Sequence, residues 1–171
     1  ATGYAGELGH VRISSSDAKD NSGLPGTLEA LVRRDDLLHI FKLDSATDEE
    51  LDLEIQRTTN ATALKVLRAQ VEMVAHAVSN MVNVFNPELV ILEGFLASLL
   101  SRFEKNLLDA VKFTALNAAT ENLLIRTGAL GSNAIMIGAA DLMFARLIEN
   151  PAAIKLFSPQ LQDGHKLALT H

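Results

Sequence analysis

The sequence contains no cysteine and no tryptophan, and it has only four prolines and one tyrosine among its 171 residues. Without cysteine the chain forms no disulfide, and it has neither a thiolate metal ligand nor a cysteine nucleophile. The sequence also lacks an apolar run long enough to cross a bilayer, because charges or glycines interrupt every such run. We therefore expect a cytoplasmic protein with no membrane partner.

An excess of basic residues is also lacking. The formal net charge is -6 and the isoelectric point is near 5.3, which argues against a surface in this chain that binds nucleic-acid phosphates. Hydrophobic residues make up 48% and charged residues 21% of the sequence, which is typical of a folded domain and not of a disordered chain. A small neutral or polar ligand fits this composition.

The order of predicted elements indicates an α/β fold. Apolar residues recur at three- and four-residue steps over 60–85 and predict a long helix that ends before Pro87. The run Leu89–Leu92 has no alternation and predicts a strand buried on both faces. Further helices over 95–116, a second buried strand over 122–128 and a second long helix over 131–150 follow, so the two strands are expected to be parallel.

Three shorter elements are predicted upstream. Val11–Ser14 alternates apolar and polar residues, which predicts a first strand. Thr27 is a favourable N-cap for a short helix, and the next residues, "DDLLHIFKL", are expected to continue as helix. The segment "SATDEELDLEIQRTT" predicts an acidic amphipathic helix, with carboxylates favourable in its first turn.

The first thirty residues hold the strongest candidate site. Glu7 and His10 lie three residues apart in a loop flanked by glycines, and Glu29 follows a polar, turn-rich segment. A carboxylate and an imidazole offer hydrogen-bond partners for sugar hydroxyls, or two ligands for a metal. From the residues alone, a turn whose charged side chains only meet solvent remains an equal alternative.

Four segments resemble the motifs of the ROK family, which contains bacterial sugar kinases and sugar-responsive repressors. "GYAGELGH" is similar to the family's G-x-A-G-E-[hydrophobic]-G-H signature, and "NSGLPGTLE" resembles its C-x-C-G-x-x-G-C-x-E segment. "NPELVILEG" resembles the N-P-x-x-I-x-[hydrophobic]-G-G element, and "LGSNAIMIGAA" resembles the L-G-x-x-A-x-x-x-G-A-A helix start. The four matches occur in the family's order and cover most of the chain.

The resemblance implies part of an actin-like, ribonuclease H-like ATPase fold, the fold of the sugar kinases. Residues 1–157 would form the carboxy-terminal lobe of a sugar-binding domain, and residues 158–171 a tail. The upstream lobe, with its D-x-G-x-T phosphate motif and catalytic aspartate, and the winged-helix domain of the repressors have no counterpart in this sequence. No catalytic residue is therefore predicted within the chain.

The resemblance also assigns roles to the residues of the first loop. Glu7, His10 and Glu29 match the residues that bind the sugar in the family. The family histidine also binds a structural zinc together with three cysteines, but the cysteine positions are here Asp20, Ser22 and Thr27. Zinc requires thiolates or imidazoles in a closed structural site. We therefore predict a degenerate site without zinc, whose loop is either held by hydrogen bonds among Asp20, Ser22 and His10 or mobile.

A second departure concerns the nucleotide. Kinases of the family have a glycine pair after the "NP" strand, whereas this chain has Glu93, then Gly94 and Phe95. Gly94 would contact ATP if the chain were part of a kinase. A carboxylate beside a polyphosphate is repulsive, so Glu93 argues against ATP as a cofactor, unless its side chain points into solvent.

These observations favour the effector-binding and oligomerising region of a ROK-type transcriptional regulator. The expected partners are a sugar or sugar phosphate, and other copies of the chain in a homodimer or homotetramer. DNA would be bound only through a domain not present here. The alternative is a fragment of an ATP-dependent hexose kinase, similar to glucokinases. A third hypothesis is a degenerate family member that serves as an interaction scaffold.

Overall fold

We analysed the protein as a computed structural model, which describes residues 6–149. The predicted tail, 158–171, lies outside the described residues. Contacts within the chain separate one unit that ends at Ser132 from a second unit that begins at Asn133, and each is described by itself.

Helices dominate the first unit. After a 3₁₀ turn at Leu8–His10, the unit contains helices and strands in the following order: α1 Leu28–Leu31, α2 Arg34–Phe41, α3 Asp48–Arg57, α4 Ala61–Phe85, β1 Leu89–Leu92, α5 Phe95–Thr114, α6 Asn117–Thr120 and β2 Leu124–Thr127. A second 3₁₀ turn, Gly131–Asn133, crosses the boundary between the units. The second unit contains α7, Ala134–Glu149, which confirms a helix within the predicted range 131–150. No helix among the described residues is long and apolar enough to span a bilayer.

The longest helix, α4, confirms the strongest prediction from the sequence. The side chain of Asn60 accepts hydrogen bonds from the backbone amides of Thr62 and Ala63 and caps the helix. Asn86 ends it in a left-handed conformation, with φ 46°, just before Pro87. The buried face of α4 centres on Leu67, Val71, Val74, Val78 and Val82, which pack against α2 and α5 in the core. Phe85, which the periodicity placed on that face, is instead exposed.

The sheet consists of β1 and β2, which pair in parallel with Leu89 opposite Leu124. Two parallel strands are thus confirmed, but the expectation that both faces are buried is wrong for this unit. Val90, Leu92 and Ile125 are buried, whereas the alternating residues Leu89, Ile91 and Leu124 are exposed. The physical reason is that the helices of the first unit, α5 in particular, cover only one face of the sheet.

The predicted first strand at Val11–Ser14 is wrong. Only Arg12 forms a β-bridge, to Thr27, while the amides of Ile13 and Ser14 both donate to the carbonyl of Gly26. Alternating apolar residues indicate extended backbone, but a strand also requires a partner that continues alongside it. Here the partner segment turns into α1 directly after Thr27.

Helices α1 and α2 form where one continuing helix was predicted, but they are separated at Val32 and Arg33, and Arg33 has extended backbone. Helix α3 begins with a capping box between Thr47 and Glu50. The helices predicted over 95–116 form as α5, which is interrupted at Phe103 by non-helical backbone angles and is followed by α6.

Candidate functional site

The backbone folds the first loop into a compact turn that lies against α1. The amide of Leu28 donates to the carbonyl of Val11, and the amide of Gly26 donates to the carbonyl of Ala18. Gly26 has φ +66°, and a Cβ there would overlap the carbonyl oxygen of Ser14, so only glycine fits. A Cβ on Gly9 would lie 3.8 Å from the Cβ of Glu29. The predicted sugar-binding segments are therefore neighbours.

Asp20 lies at the centre of this turn, and its side chain has no exposed surface. Its Oδ1 accepts hydrogen bonds from the backbone amides of Ser22 and Leu24, each at 2.9 Å. Its Oδ2 accepts from the Thr27 hydroxyl at 2.9 Å and lies 3.0 Å from His10 Nδ1. Four donors thus satisfy one buried carboxylate, as burial of a charge requires.

His10 and Glu29 form the exposed side of the same cluster. Glu29 Oε2 lies 3.4 Å from His10 Nδ1, and Glu29 Oε1 accepts a hydrogen bond of 2.9 Å from Asn21 Nδ2. About a third of each of the two side chains, 35% for His10 and 37% for Glu29, is open to solvent. We call His10, Asp20, Asn21, Thr27 and Glu29 the loop cluster. It holds an imidazole and a carboxylate side by side, each partly exposed to solvent.

Glu7 precedes the 3₁₀ turn Leu8–His10 at its N-cap position and is exposed. Its side chain accepts no capping hydrogen bond, but its charge acts on His10. The structure thus brings His10 and Glu29 into contact and places Glu7 at the start of the turn that carries His10.

The loop cluster changes the proton affinity of two of its members. The hydrogen bond to Asp20 raises the pKa of His10 above its ordinary 6.5, and the negative charges of Asp20, Glu29 and Glu7 act in the same direction against partial desolvation. The same hydrogen bond is the largest cause that lowers the pKa of Asp20, from 3.8 to about 2, and the three other donors add to it. Both shifts favour a charged pair.

The donor set does not fit the zinc that the resemblance implies for the family. Ligand atoms of His10, Asp20 and Glu29 lie within 4.8 Å of one another. Both carboxylate oxygens of Asp20, however, already accept hydrogen bonds from donors of the protein. Ser22 contributes its backbone amide to the cluster, and the Thr27 hydroxyl bonds Asp20 and the amide of Ala30. Neither residue offers the thiolate that a structural zinc site requires. The predicted hydrogen bonding of the loop is confirmed, with Ser22 acting through its backbone.

A second candidate region lies where the two parallel strands end. Glu93 and Gly94 follow β1, Gly128 follows β2, and α5 starts at Phe95. A cavity of about 490 Å³ opens there, and we call it the strand-end cleft. The lining residues that the structure describes include four acidic ones, Asp48, Glu49, Asp52 and Glu93, and no lysine or arginine. Arg34 approaches from outside the lining and pairs with Asp48, with Nε 3.4 Å from Oδ1.

The strand-end cleft combines the amino end of α5 with an acidic side chain, Glu93. Gly94 has φ +58° and precedes the amino end of α5, and such helix ends favour negative groups. The carboxylate of Glu93 lies against Gly128 so closely that a Cβ on Gly128 would overlap it. The protein therefore supplies its own negative charge at this point, and Glu93 points into the cleft and not away from it.

Sequence reasoning missed Asn21 and the bond from Thr27 to Asp20 in the loop cluster, and the residues of α3 in the strand-end cleft. The hydroxyl of Thr27 serves as helix cap and as donor to Asp20 at once, and Asn21 orients Glu29. Asp and Asn before glycine-containing turns bond backbone amides two or more residues on, and this signal was available at Asp20. The contribution of α3 to the strand-end cleft, through Asp48 and Asp52, had no signal, because it depends on the packing of α3 against α5.

Comparison with known proteins places the chain among relatives of one family. The model of the ROK family matches residues 1–146. A xylose repressor of Caldicellulosiruptor bescii is 24% identical over 167 residues, which are 88% of this chain and 42% of the repressor. A putative xylose repressor of another Caldicellulosiruptor strain is 22% identical, with the same coverage. The chain thus spans about two fifths of the length of these curated relatives.

Two solved structures share the fold. A ROK family transcriptional regulator, described as a homologue of the E. coli MLC protein, superposes with a TM-score of 0.59 at 19% identity over 72% of this chain and 34% of its own. A putative sugar kinase from Cytophaga hutchinsonii superposes with a TM-score of 0.57, also at 19% identity, over 82% of this chain and 48% of its own.

Proposed function

Since the chain belongs to the ROK family, we propose that it is the effector-binding and oligomerising region of a ROK-type transcriptional regulator. In this proposal it forms part of an actin-like, sugar-kinase-type lobe, and Glu7, His10 and Glu29 bind a sugar. The single observation that carries the proposal is the loop cluster, because it holds His10 and Glu29 together, partly exposed, on a buried carboxylate.

The chemistry of the loop cluster suits a polyol. A carboxylate accepts hydrogen bonds from two neighbouring hydroxyls, and such charge-assisted bonds are stronger than neutral ones. One oxygen of Glu29 is bonded by Asn21, which fixes the plane of the carboxylate, and fixed partners reduce the entropy lost on binding. His10 adds a ring nitrogen that bonds a further hydroxyl.

The carboxylates nearest to His10 favour a neutral sugar over a sugar phosphate as the ligand of this residue. Glu7, Asp20 and Glu29 all lie near His10, and their charges would repel a phosphate. The two curated relatives are named for xylose. We therefore propose a neutral aldose as the effector and xylose as the first compound to test.

The effector would act by a population shift. A sugar that binds one arrangement of lobes or subunits more tightly stabilises that arrangement, by no more than its difference in affinity. In a homodimer or homotetramer in the cytoplasm, this would change the spacing of DNA-binding domains that the described residues do not include. The net charge of -6 fits a region that leaves DNA contact to another part of the protein.

An ATP-dependent sugar kinase is the alternative, and the likeness to a putative sugar kinase favours it. In that case Gly94 would contact the nucleotide at the strand-end cleft. The four carboxylates of the cleft argue against this, because a polyphosphate there would meet Glu93 and three further acidic residues without a lysine or arginine in the lining. We propose that the protein is not an enzyme.

Titration calorimetry of the intact protein with xylose tests the proposal. We expect saturable binding in the wild type, and at least about tenfold weaker binding in Glu7→Ala and in Glu29→Gln, because each variant removes a charged hydrogen-bond acceptor. Asp17→Asn is the matched control, since Asp17 is exposed in the same loop and lies outside the loop cluster.

The sugar assignment would be overturned if both variants bound xylose as tightly as the wild type. Failure of the wild type to bind xylose or any other aldose would overturn the sensor function as a whole. Equal losses in the Asp17→Asn control would show that net charge, not the loop cluster, determines the affinity.

A further inference from the structure

The geometry points to Asp20 as the residue that keeps a proton on Nδ1 of His10, so that Nε2 is the ring nitrogen left for the ligand, as an acceptor in the neutral imidazole and as a donor in the imidazolium. This inference deepens the proposed function and rests on it for the identity of the ligand. In it a buried carboxylate, and not a metal, positions the imidazole.

The hydrogen bonds around Asp20 determine where each proton lies. The Thr27 hydroxyl accepts from the amide of Ala30 and donates to Asp20 Oδ2. An ionised carboxylate is only an acceptor, so the contact of 3.0 Å between Oδ2 and His10 Nδ1 requires a proton on Nδ1. A neutral imidazole carries one proton, and Nε2 is then an acceptor.

Asp20 also ties His10 to the start of α1. Its Oδ2 bonds both the imidazole and the hydroxyl that caps the helix on which Glu29 lies. Oδ1 bonds the amides of Ser22 and Leu24 and fixes the loop in between. One carboxylate therefore sets the orientation of His10 and the position of the Glu29 helix together, which makes Asp20 a positioning residue for both.

The variant Asp20→Asn gives a specific expectation. The amides of Ser22 and Leu24 are donors, so they require the amide oxygen of the new side chain on the Oδ1 side. Its NH₂ group then occupies the place of Oδ2 and points a proton at His10 Nδ1. The imidazole can accept this proton only as the opposite tautomer, with its own proton on Nε2.

Long-range ¹H–¹⁵N spectra of the labelled intact protein read the tautomer of each histidine directly, and His10→Gln identifies the His10 signals. At about pH 9, where an ordinary imidazole is neutral, we expect the Nδ1–H form in the wild type and in Asp17→Asn. We expect the Nε2–H form in Asp20→Asn, together with a loss of xylose affinity of about tenfold. EDTA should leave the wild-type spectrum unchanged.

Glu29 is the nearest alternative acceptor that the structure describes, with Oε2 at 3.4 Å from Nδ1. If Asp20→Asn alone retained Nδ1–H through Glu29, the double variant Asp20→Asn/Glu29→Gln would still have to show Nε2–H. Retention of Nδ1–H in the double variant would overturn the inference.

The wild-type spectrum is decisive even if Asp20→Asn fails to fold. An Nε2–H tautomer in the wild type overturns the inference, and so does a stoichiometric zinc ion that EDTA removes with a change in the His10 signals. If the tautomer changes as expected but neither protein binds an aldose, the role of Asp20 on His10 is supported and the proposed sugar function fails. If xylose binds but the tautomer of His10 does not depend on Asp20, the proposed sugar function is supported and the role of Asp20 on His10 fails.

Discussion

Asp20 in the loop cluster is fully buried and accepts four hydrogen bonds, whereas the four carboxylates of the strand-end cleft line an open cavity of about 490 Å³. In the loop cluster the Asp20 carboxylate is the structural centre, because it accepts hydrogen bonds from His10, from Thr27 and from the backbone of the loop between them. In the strand-end cleft the carboxylates would repel an anionic ligand through their charge.

The loop cluster and the strand-end cleft depart from the family pattern in different ways within one sugar-kinase-like fold. The loop cluster has lost the cysteines that the family resemblance implies, but it has a replacement that uses only protein hydrogen bonds. The strand-end cleft has Glu93 where the family resemblance implies a glycine, and its described lining residues include no lysine or arginine, although Arg34 pairs with Asp48 from outside the lining. In our proposal the first region therefore binds a ligand, and the second opposes the ligand that a kinase needs.

The first prediction compares the two threonine N-caps, one in each region. Thr27→Ala removes a helix cap and a donor to buried Asp20, while Thr47→Ala removes only the cap of α3 at the edge of the strand-end cleft. We expect Thr27→Ala to lower the free energy of unfolding by about 2 kcal/mol and Thr47→Ala by about 1 kcal/mol. Urea denaturation of both variants measures this difference. Equal losses would mean that the bond from Thr27 to Asp20 does not stabilise the fold.

The second prediction concerns the charge of the strand-end cleft. Glu93→Gln keeps the size of the side chain and removes its charge, so we expect the affinity for inorganic pyrophosphate at low ionic strength to rise about five- to tenfold. Glu54→Gln is the matched control, because Glu54 is exposed on α3 and does not line the cleft. An equal rise in the control, or no rise in Glu93→Gln, would contradict local repulsion.

The third prediction is a pH dependence confined to the loop cluster. The pKa of Asp20 is lowered, so its contribution to stability is present above its ordinary value of 3.8 and is lost as the pH falls through about 2. The pKa of His10 is raised, so its contribution is present below 6.5 and is lost as the pH rises through the raised value.

Both pKa shifts belong to the pair of His10 and Asp20. This pair therefore stabilises the fold most between pH 3.8 and 6.5. We expect the difference in urea midpoint between the wild type and Asp20→Asn to be largest in that window and smaller on either side. A difference that stays constant from about pH 3 to pH 9 would show that the pair carries no net charge interaction.

The sequence predicted the long helices and the two parallel strands better than the first strand and the buried faces of the sheet. The periodicity of α4 and the apolar runs of β1 and β2 are local signals, and all three elements form. The strand at Val11–Ser14 failed because its partner, the segment before Thr27, turns into α1 after a single bridge. Which faces of the sheet are buried also depends on segments that are distant in the sequence. A run such as Leu89–Leu92 places apolar residues on both faces of the sheet, so it does not show which face is covered.

The two candidate regions also differ in how far the sequence predicts them. The motif around Glu7, His10 and Glu29 lies within one short stretch, and the hydrogen bonds of Asp20 were anticipated from its position in the loop. The bond from Thr27 to Asp20 was missed because a side chain with two partners shows only one of them in the sequence, and Asn21 was missed because its partner, Glu29, lies eight residues away. The acidic lining of the strand-end cleft combines α3 with the ends of both strands, which no local pattern reveals.

Calorimetric titration of the wild-type protein with xylose and, separately, with magnesium ATP tests the central claim most directly. Our account predicts saturable binding of the sugar at the loop cluster, which Glu29→Gln weakens, and no saturable binding of ATP at the strand-end cleft. Saturable ATP binding without any binding of an aldose would contradict it.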